Sequence, residues 1–502
     1  MLALSFPKFG HPACAWLALT PLIIAAARRS VERRFFGRAF LLGLICGGVY
    51  FAGTLYWLVE TMTTFGGLAV PLAVFAASLL VAYLALFPAV FAALLARAVR
   101  TFGAAGVLFA PSFWMATELG RQYVWDGFPW ALLGYSQVTV LPIAQLVSVV
   151  GVYGLSGLLA LTASAAAFAV LSRNRTRWIP VVASVAIVAA IALWGTGRMR
   201  RAALLSSGDT VRLAVLQGNI AQEDKWNPAL ADAITDRYIA MTREALARGA
   251  TFIMWPESST PFYFERDLLR GGAIRRLAKE GNATLLIGSD QVEPVRTVPG
   301  EPAPKPSERY YNAAFLVTPD GNIGAVYRKI HLVPFGEYVP AKRIFFFVGP
   351  IVDALSDTFD AGTEPVLLPV GTHKISTAIC YEVIYGSLMR QFVLDGSELL
   401  TTITNDAWYG WSSAAYQHWD QASMRAIETG RYLARAANTG ISGFVDPYGR
   451  VIAKSKLFEE ALLVEEVRFL RGRTIYNRIG DLVAWLSLAL SAAVFLATRR
   501  VR

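Results

Sequence analysis

Cysteine and histidine are scarce in this sequence, with three cysteines and four histidines among 502 residues. Cys14 and Cys46 sit in apolar surroundings and only Cys380 lies in the large polar region, so no disulfide framework is implied. There is no His/Cys cluster of the kind that holds a metal and no Walker-type glycine loop, so no cofactor is expected. Charge is sparse as well: 17% of residues are charged against 55% apolar, too few for an ordinary soluble protein. Asp, Glu, Lys and Arg are missing altogether from residues 39–59, 61–96, 101–117, 127–172, 178–197 and 482–498. Runs of about 17 to 25 such residues match a hydrocarbon core roughly 30 Å thick, and six of them in one chain exclude a single buried core helix as the explanation. A basic start followed by a small-residue cleavage site is also missing, so no cleavable signal peptide is expected.

The charge that is present is mostly basic. A net charge of +11 would suggest nucleic acid in a soluble chain. Here the arginines gather in short loops between apolar runs: Arg28, Arg29, Arg33, Arg34 and Arg38, then Arg97 and Arg100, then Arg173, Arg175 and Arg177. That is the positive-inside pattern. With these loops in the cytoplasm, helices near 39–59 and 104–119 lead outward, and those near 71–96 and 152–172 return. The helix at 178–197 then delivers the polar region to the outer side, and the helix at 480–498 brings Arg499, Arg500 and Arg502 back inside. Residues 128–150 read as an arm at the outer leaflet, and the helix near 12–27 leaves Met1 outside, which points to an earlier helix upstream of Leu2 to Gly10. Glu118 and Arg121, charges at one helix end, read as snorkelling side chains.

Three parts follow: a membrane helix bundle over 1–197, a polar domain over 198–475 on the outer side, and a last membrane helix over 480–498. In the polar part, short β-branched runs alternate with amphipathic stretches, which predicts an α/β domain. Strands are expected at Arg212 to Leu216, Phe252 to Trp255, Thr284 to Ile287, Ala314 to Val317, Ile375 to Ile379 and Leu399 to Ile403. Residues 228–248 predict a helix, capped by Asn227, opened by Pro228 and closed by Gly249, with Ile234, Tyr238, Met241 and Ala245 facing a sheet. Residues 293–306, with five prolines, predict an exposed loop. The apolar stretch 344–351 reads equally as a buried turn or a membrane-touching arm, and Trp408, Tyr409, Trp411, Tyr416 and Trp419 as an acyl-pocket lining or a headgroup-level cluster.

Three chemical groups stand at ends of expected strands. Glu257 follows Ile253 to Pro256, and Cys380 follows Ile375 to Ile379 on a strand-to-helix turn of the sort that exposes nucleophiles. Lys329 and a further acid, Glu337, lie between them. Taken singly each has a bland reading: a solvated acid, an inert buried thiol, a surface lysine. Together they complement one another, because a thiol with an ordinary pKa near 8.5 needs a base and the oxyanion made by its attack needs a cation. Glu257 supplies the first and Lys329 the second. A Cys/His pair with His331 is the competing assignment.

These elements, in this order, resemble the Glu-Lys-Cys triad of the nitrilase, or carbon-nitrogen hydrolase, superfamily. The strings from Trp255 to Ser258, Lys329 to Pro340, Ile379 to Glu382 and Thr404 to Gly410 resemble the bacterial apolipoprotein N-acyltransferase family within it. So do Gln217 to Ile220 with Lys225-Trp226, and the membrane-side strings Gly127 to Trp130 and Gly134 to Gln137, so that nearly the whole chain is covered. The resemblance implies Glu257 as general base, Lys329 as stabiliser of the tetrahedral intermediate and Cys380 as nucleophile, with Glu337, Tyr381 and Glu382 in support and Trp226 and Trp408 near the substrate. It implies a four-layer αββα sandwich beside a multi-span helical bundle in the bacterial inner membrane. It also implies the partners: a phospholipid acyl donor, a diacylglyceryl apolipoprotein acceptor and the bilayer itself, with no nucleic acid. The acyl chain would pass first to Cys380 as a thioester and then to an amine, in two steps. Both substrates carry chains that cost about 0.8 kcal/mol per CH₂ to expose to water, so such a site must open toward lipid. A membrane-tethered amidase that lets water resolve the intermediate, and a transporter or scaffold carrying an inactive module, are the competing classes.

Overall fold

The computed structural model describes residues 1–125, 127–295, 308–338 and 359–499. The stretch 344–351 and all of the proline loop beyond residue 295 lie outside these residues, as do Arg500 and Arg502. Packing divides the chain into a helical unit, Met1–Ala202 with Trp411–Thr429 and Arg473–Arg502, and an α/β unit, Ala203–Gly410 with Gly430–Gly472. The segment 411–429, which the sequence reading placed whole in the catalytic domain, packs with the helical unit.

In the helical unit, charge-free runs become helices at Phe35–Leu55, Val70–Phe102, Ala110–Tyr123, Val147–Leu171, Ile179–Arg201 and Leu482–Thr498. Among the described residues, four helical stretches are long and apolar enough to cross a membrane. Their outward residues are apolar too: Val182, Val185 and Leu193 are largely exposed, as expected of a surface made for lipid rather than water. The helix expected near 12–27 is short, a 3-10 turn at Pro12–Trp16 followed by Thr20–Arg29. Small residues let the long helices close on one another: a Cβ on Gly43 would stand 2.3 Å from the Pro88 carbonyl oxygen.

Residues 128–150 do not form one spanning helix. They fold as short turns, Leu133–Gln137 and Leu141–Ala144, and bury Trp130, Leu133, Tyr135 and Gln137 within the unit. This corrects the reading of Glu118 and Arg121. Neither snorkels; both are 2% exposed, 4.0 Å apart, with Glu118 accepting from the Leu133 backbone N–H and the Trp114 indole. The folded-back segment covers the helix end and takes the place of water.

Among the described residues, the α/β unit holds two six-stranded sheets. In the first, β1 (Thr210–Gln217), β2 (Phe252–Met254) and β3 (Thr284–Pro294) run parallel at the centre. Antiparallel β4 (Glu308–Val317) and β5 (Ile323–Arg328) extend one side, and β12 (Ala461–Arg468) the other. The second repeats the plan: β7 (His373–Ile379), β8 (Leu399–Thr404) and β9 (Leu433–Ala437) are parallel, flanked by β6 (Leu368–Val370), β10 (Gly443–Val445) and β11 (Val451–Lys454). All six expected strands are present, as β1, β2, β3, β4, β7 and β8, whereas β5, β6, β9, β10, β11 and β12 were not anticipated. Asn227 caps the turn Pro228–Leu230 through the Ala229 N–H, and the Ala231–Ala247 helix lays Ile234, Tyr238, Met241 and Ala245 on Ala214, Ile253, Trp255 and Leu285. The opposite faces of the sheets pack together, β1 on β9 and β4 on β7. With helices outside, this is the αββα sandwich, and it brings the carboxyl ends of β2, β7 and β8 to one place.

Candidate active site

Glu257, Lys329, Glu337, Cys380, Tyr381 and Glu382 all lie in the α/β unit, and Asn312 and Lys329 join Glu257 to Glu337 through hydrogen bonds and a close ion pair. Glu257 leaves β2 through Trp255-Pro256 and is 6% exposed. Its Oε1 accepts from Asn312 Nδ2 at 2.7 Å and its Oε2 from the Asn405 backbone N–H at 2.7 Å. Neighbouring β3 must come close here, and only glycine permits it: a Cβ on Gly288 would stand 2.3 Å from the Pro256 oxygen and 2.7 Å from Glu257 Cα.

Lys329 follows β5 and is 1% exposed. Its Nζ donates to Glu337 Oε1 at 2.8 Å and stands 3.5 Å from Glu257 Oε1. Burial opposes its charge, but Glu337 and Glu257 outweigh that and hold the ammonium above its ordinary range. Glu337 is anchored in turn by Val333 N–H at 2.8 Å and by Asn312 Nδ2 at 3.1 Å. Asn312 on β4 therefore ties the two carboxylates to one another, and its own carbonyl accepts from Lys329 N–H at 2.9 Å.

Cys380 opens a 3-10 turn, Cys380–Ile384, with φ at +53°, the sharp strand-to-turn geometry anticipated for a nucleophile. Burial pushes its thiol up to about 12, Glu257 adds to the rise, and Lys329 opposes it. Glu382 locks this turn to the lysine loop: it accepts from Ile379, Ile330 and His331 N–H at 2.8, 2.7 and 3.1 Å and from the Tyr327 hydroxyl at 2.8 Å. Burial raises its carboxyl to about 7 against these donors. Tyr381 is buried, its ring edge-on to Tyr385 at 5.4 Å. His331, the competing partner for the thiol, stacks its ring on Tyr385 at 4.3 Å, and burial lowers its pKa.

Trp226 is half exposed on the turn before Asn227, and Trp408 is partly buried in the turn Asp406–Tyr409. Of the aromatic cluster, Trp408 and Tyr409 belong to the α/β unit, whereas Trp411, Tyr416 and Trp419 belong to the helical one. Sequence reading missed Asn312, the backbone of Asn405 and the buried Asp406–Arg435 pair, 2.8 Å apart, that holds the β8 end in place. Asn312 carried a signal: it is the one amide in an otherwise aromatic and aliphatic strand, Tyr310 to Val317, and a polar residue there calls for a partner.

A thiol on a strained turn, a lysine shared by two carboxylates and a buried glutamate together can open and close an acyl bond without metal. Comparison with known proteins agrees in family. Residues 212–475 match the carbon-nitrogen hydrolase family, and residues 1–165 match the apolipoprotein N-acyltransferase N-terminal domain. The apolipoprotein N-acyltransferase of Geobacter metallireducens is 39% identical over 100% of this chain and 94% of its own length. That of Methylococcus capsulatus is 33% identical over 98% and 93%. Among solved structures, an amidase of the nitrilase superfamily from Nesterenkonia is 19% identical, with a TM-score of 0.41, over 56% of this chain and 97% of that one. On its full-length relatives and both family matches, this chain belongs to the apolipoprotein N-acyltransferase family.

Proposed function

We propose that the protein moves an acyl chain from a phospholipid to Cys380 and then to the α-amine of a diacylglyceryl-cysteine at the start of an apolipoprotein. The observation that carries this reading is the buried convergence of Glu257, Lys329 and Cys380 in a chain of this family. A thiol whose pKa is near 12 holds its proton at neutral pH, so attack requires a base. Glu257 takes that proton as sulfur bonds to the ester carbonyl carbon, and the oxyanion that forms is met by the Lys329 ammonium. Collapse breaks the carbon–oxygen bond, the proton passes from Glu257 to the departing lysophospholipid oxygen, and a thioester remains. In the second half the acceptor amine bonds to the same carbon and gives a proton to Glu257, the carbon–sulfur bond breaks, and Glu257 returns that proton to the departing sulfur so that Cys380 is again a thiol. The amide formed is more stable than the ester consumed. Glu337 and Glu382 hold the lysine and the cysteine turn, and Trp226 and Trp408 supply aromatic surface for substrate.

The test supplies purified protein with a phospholipid labelled in one acyl chain, with and without a diacylglyceryl peptide bearing a free amine. Label on Cys380 without acceptor, moving to peptide on its addition, is the expected result. Free fatty acid released equally with and without acceptor would establish a hydrolase instead, and stable labelling of Cys380→Ala would remove the nucleophile. We further propose that the chain sits in the bacterial inner membrane with residues 28–38 inside and residues 198–475 on the periplasmic side, from the arginine loops. A single cysteine in the 28–38 loop of an otherwise Cys-free chain should resist an impermeant thiol reagent in intact cells; labelling there would reverse the orientation.

A further inference from the structure

Glu257 is gripped from its main chain as well as its side chain. Lys225, 5% exposed, donates from Nζ to the Glu257 carbonyl oxygen at 2.9 Å. The next residue, Ser258, is held at φ +41° and donates its hydroxyl to Asp290 Oδ1 at 2.9 Å. Asp290 is 7% exposed on β3, directly across from Asn312 on β4. One rung of the sheet thus presents two polar side chains, Asn312 to the glutamate's carboxylate and Asp290 to the turn behind it. The loop bearing Lys225 is itself tied to the site: Asn405 Nδ2 donates to Gln222 Oε1 at 2.6 Å, and Asn438 Oδ1 accepts from Ile220 N–H at 2.9 Å.

Charge accounting gives this second lysine a purpose. Lys329 is shared between Glu257 and Glu337, one cation for two carboxylates. A buried ammonium costs several kcal/mol and is retained where its field is used. The charged and titratable groups that act on Lys225 are Glu257, Asp290 and the Cys380 thiol; those on Asp290 are Lys225, Glu257 and Glu337.

We propose that Lys225 and Asp290 are two positioning residues behind the active site, Lys225 bonded to the Glu257 carbonyl and Asp290 to the Ser258 hydroxyl, which together fix the Glu257 backbone, while Lys225 keeps a second cation within the field of the thiol as it loses its proton. The proposal deepens the function given above and rests on Glu257 being the base. Burial lowers Lys225 to about 8 while the surrounding anions oppose the drop, and burial raises Asp290 to about 7, opposed by Ser258 and Lys225. Glu257 is the larger of those anions and Asp290 adds to it, so Asp290 helps to keep Lys225 charged as pH rises. Removing its charge lowers the pH at which Lys225 gives up its proton.

The experiment follows two reactions of the full-length enzyme over pH 6–10: alkylation of Cys380 by iodoacetamide, which needs no lipid, and acylation by a labelled phospholipid. Lys225→Met should slow both by about 10²-fold across the range, the size expected when a charge-stabilising donor is lost. Asp290→Asn should match wild type at low pH and fall away earlier on the alkaline side, as Lys225 deprotonates sooner. Lys225→Arg, charged throughout, should extend the alkaline limb. A scaffold role alone would alter melting temperature and leave these profiles unmoved. Wild-type profiles in both Lys225→Met and Asp290→Asn would overturn the proposal, and should Lys225→Met not fold, an unshifted Asp290→Asn profile overturns it alone. If wild type alkylates as described but takes no acyl label, the acyl-transfer reading fails while this one stands.

Discussion

Replacing Asn312 with alanine should separate catalysis from folding. The amide donates to Glu257 Oε1 at 2.7 Å and to Glu337 Oε1 at 3.1 Å, both carboxyl acceptors beside the Lys329 ammonium. Hydrogen bonds to charged groups contribute roughly 1.5–3 kcal/mol each, so the pair is worth about 3–6 kcal/mol in gross terms. Each carboxylate keeps another donor, Asn405 N–H for Glu257 and Val333 N–H for Glu337, which places the net loss toward the lower figure. Three kcal/mol in the transition state is about 10²-fold in rate. Without the amide, Glu257 Oε1 retains Lys329 at 3.5 Å and turns toward it, away from the alignment needed to take the thiol's proton. Single-turnover acylation of Cys380 by a labelled phospholipid should therefore slow by about that factor, with donor affinity nearly unchanged because the amide sits under the base rather than along a lipid path. Thermal unfolding in detergent gives the control. A loss in rate below about threefold, under ~0.7 kcal/mol, with intact folding would refute the claim that Asn312 aligns the base.

Glu257→Gln carries a prediction whose two halves point in opposite directions. Glu257 raises the Cys380 pKa, so the variant's thiol should titrate lower than the wild-type value near 12, while acylation falls by at least about 10²-fold for want of a base. A thiol pKa that rises, or an acylation rate that holds, contradicts the assignment. Gly288→Ala introduces a Cβ 2.3 Å from the Pro256 oxygen and should abolish acylation by shifting Glu257, whereas a fully active variant would show the approach of β3 to be dispensable. Arg435→Met leaves Asp406 buried without its cation and should cost about 3–5 kcal/mol of stability in denaturant unfolding; a loss under about 1 kcal/mol would mean the pair contributes little. Lys329→Met should slow thioester formation by about 10²-fold or more, and near-normal thioester in that variant would remove the lysine from the reaction.

Much of this architecture was legible because most central strands carry their own signal. Five of the six parallel strands are short aliphatic and β-branched runs, such as Leu399–Thr404, buried and bounded by turns, so they stood out. The sixth, Leu433–Ala437, has Arg435 at its middle and did not. Most flanking strands were hidden too: Val451–Lys454 is mostly exposed, and Gly443–Val445 is too short for any period to show. Glu257, Lys329 and Cys380 were legible as chemistry at strand ends. Their supports were hidden because support here comes from backbone amides, as at Asn405, or from residues distant in sequence, as Asp290 and Lys225 are from each other. Glu118 and Arg121 were misread for a related reason. Nothing in their own helix tells that residues 131–133 will return to cover it.

The Ala414–Thr429 helix has a consequence in time. It lies between β8 and β9 in the chain yet packs among the helices of the other unit, where Arg425 and Glu428 are fully buried 2.6 Å apart. Glu428 accepts from Val152 N–H at 3.0 Å, Arg425 reaches the Tyr135 hydroxyl, and Thr474 bonds the Glu428 carbonyl at 2.7 Å. During synthesis, residues 1–202 therefore emerge before the helix that packs on Val147–Leu171, with the Val152 amide and the Tyr135 phenol awaiting partners made more than two hundred residues later. The ribosome must finish most of the α/β unit before the helical one can close. Assembly of the two is interleaved rather than sequential, and a chain halted between residues 202 and 411 would present quality-control proteases with an open helical bundle.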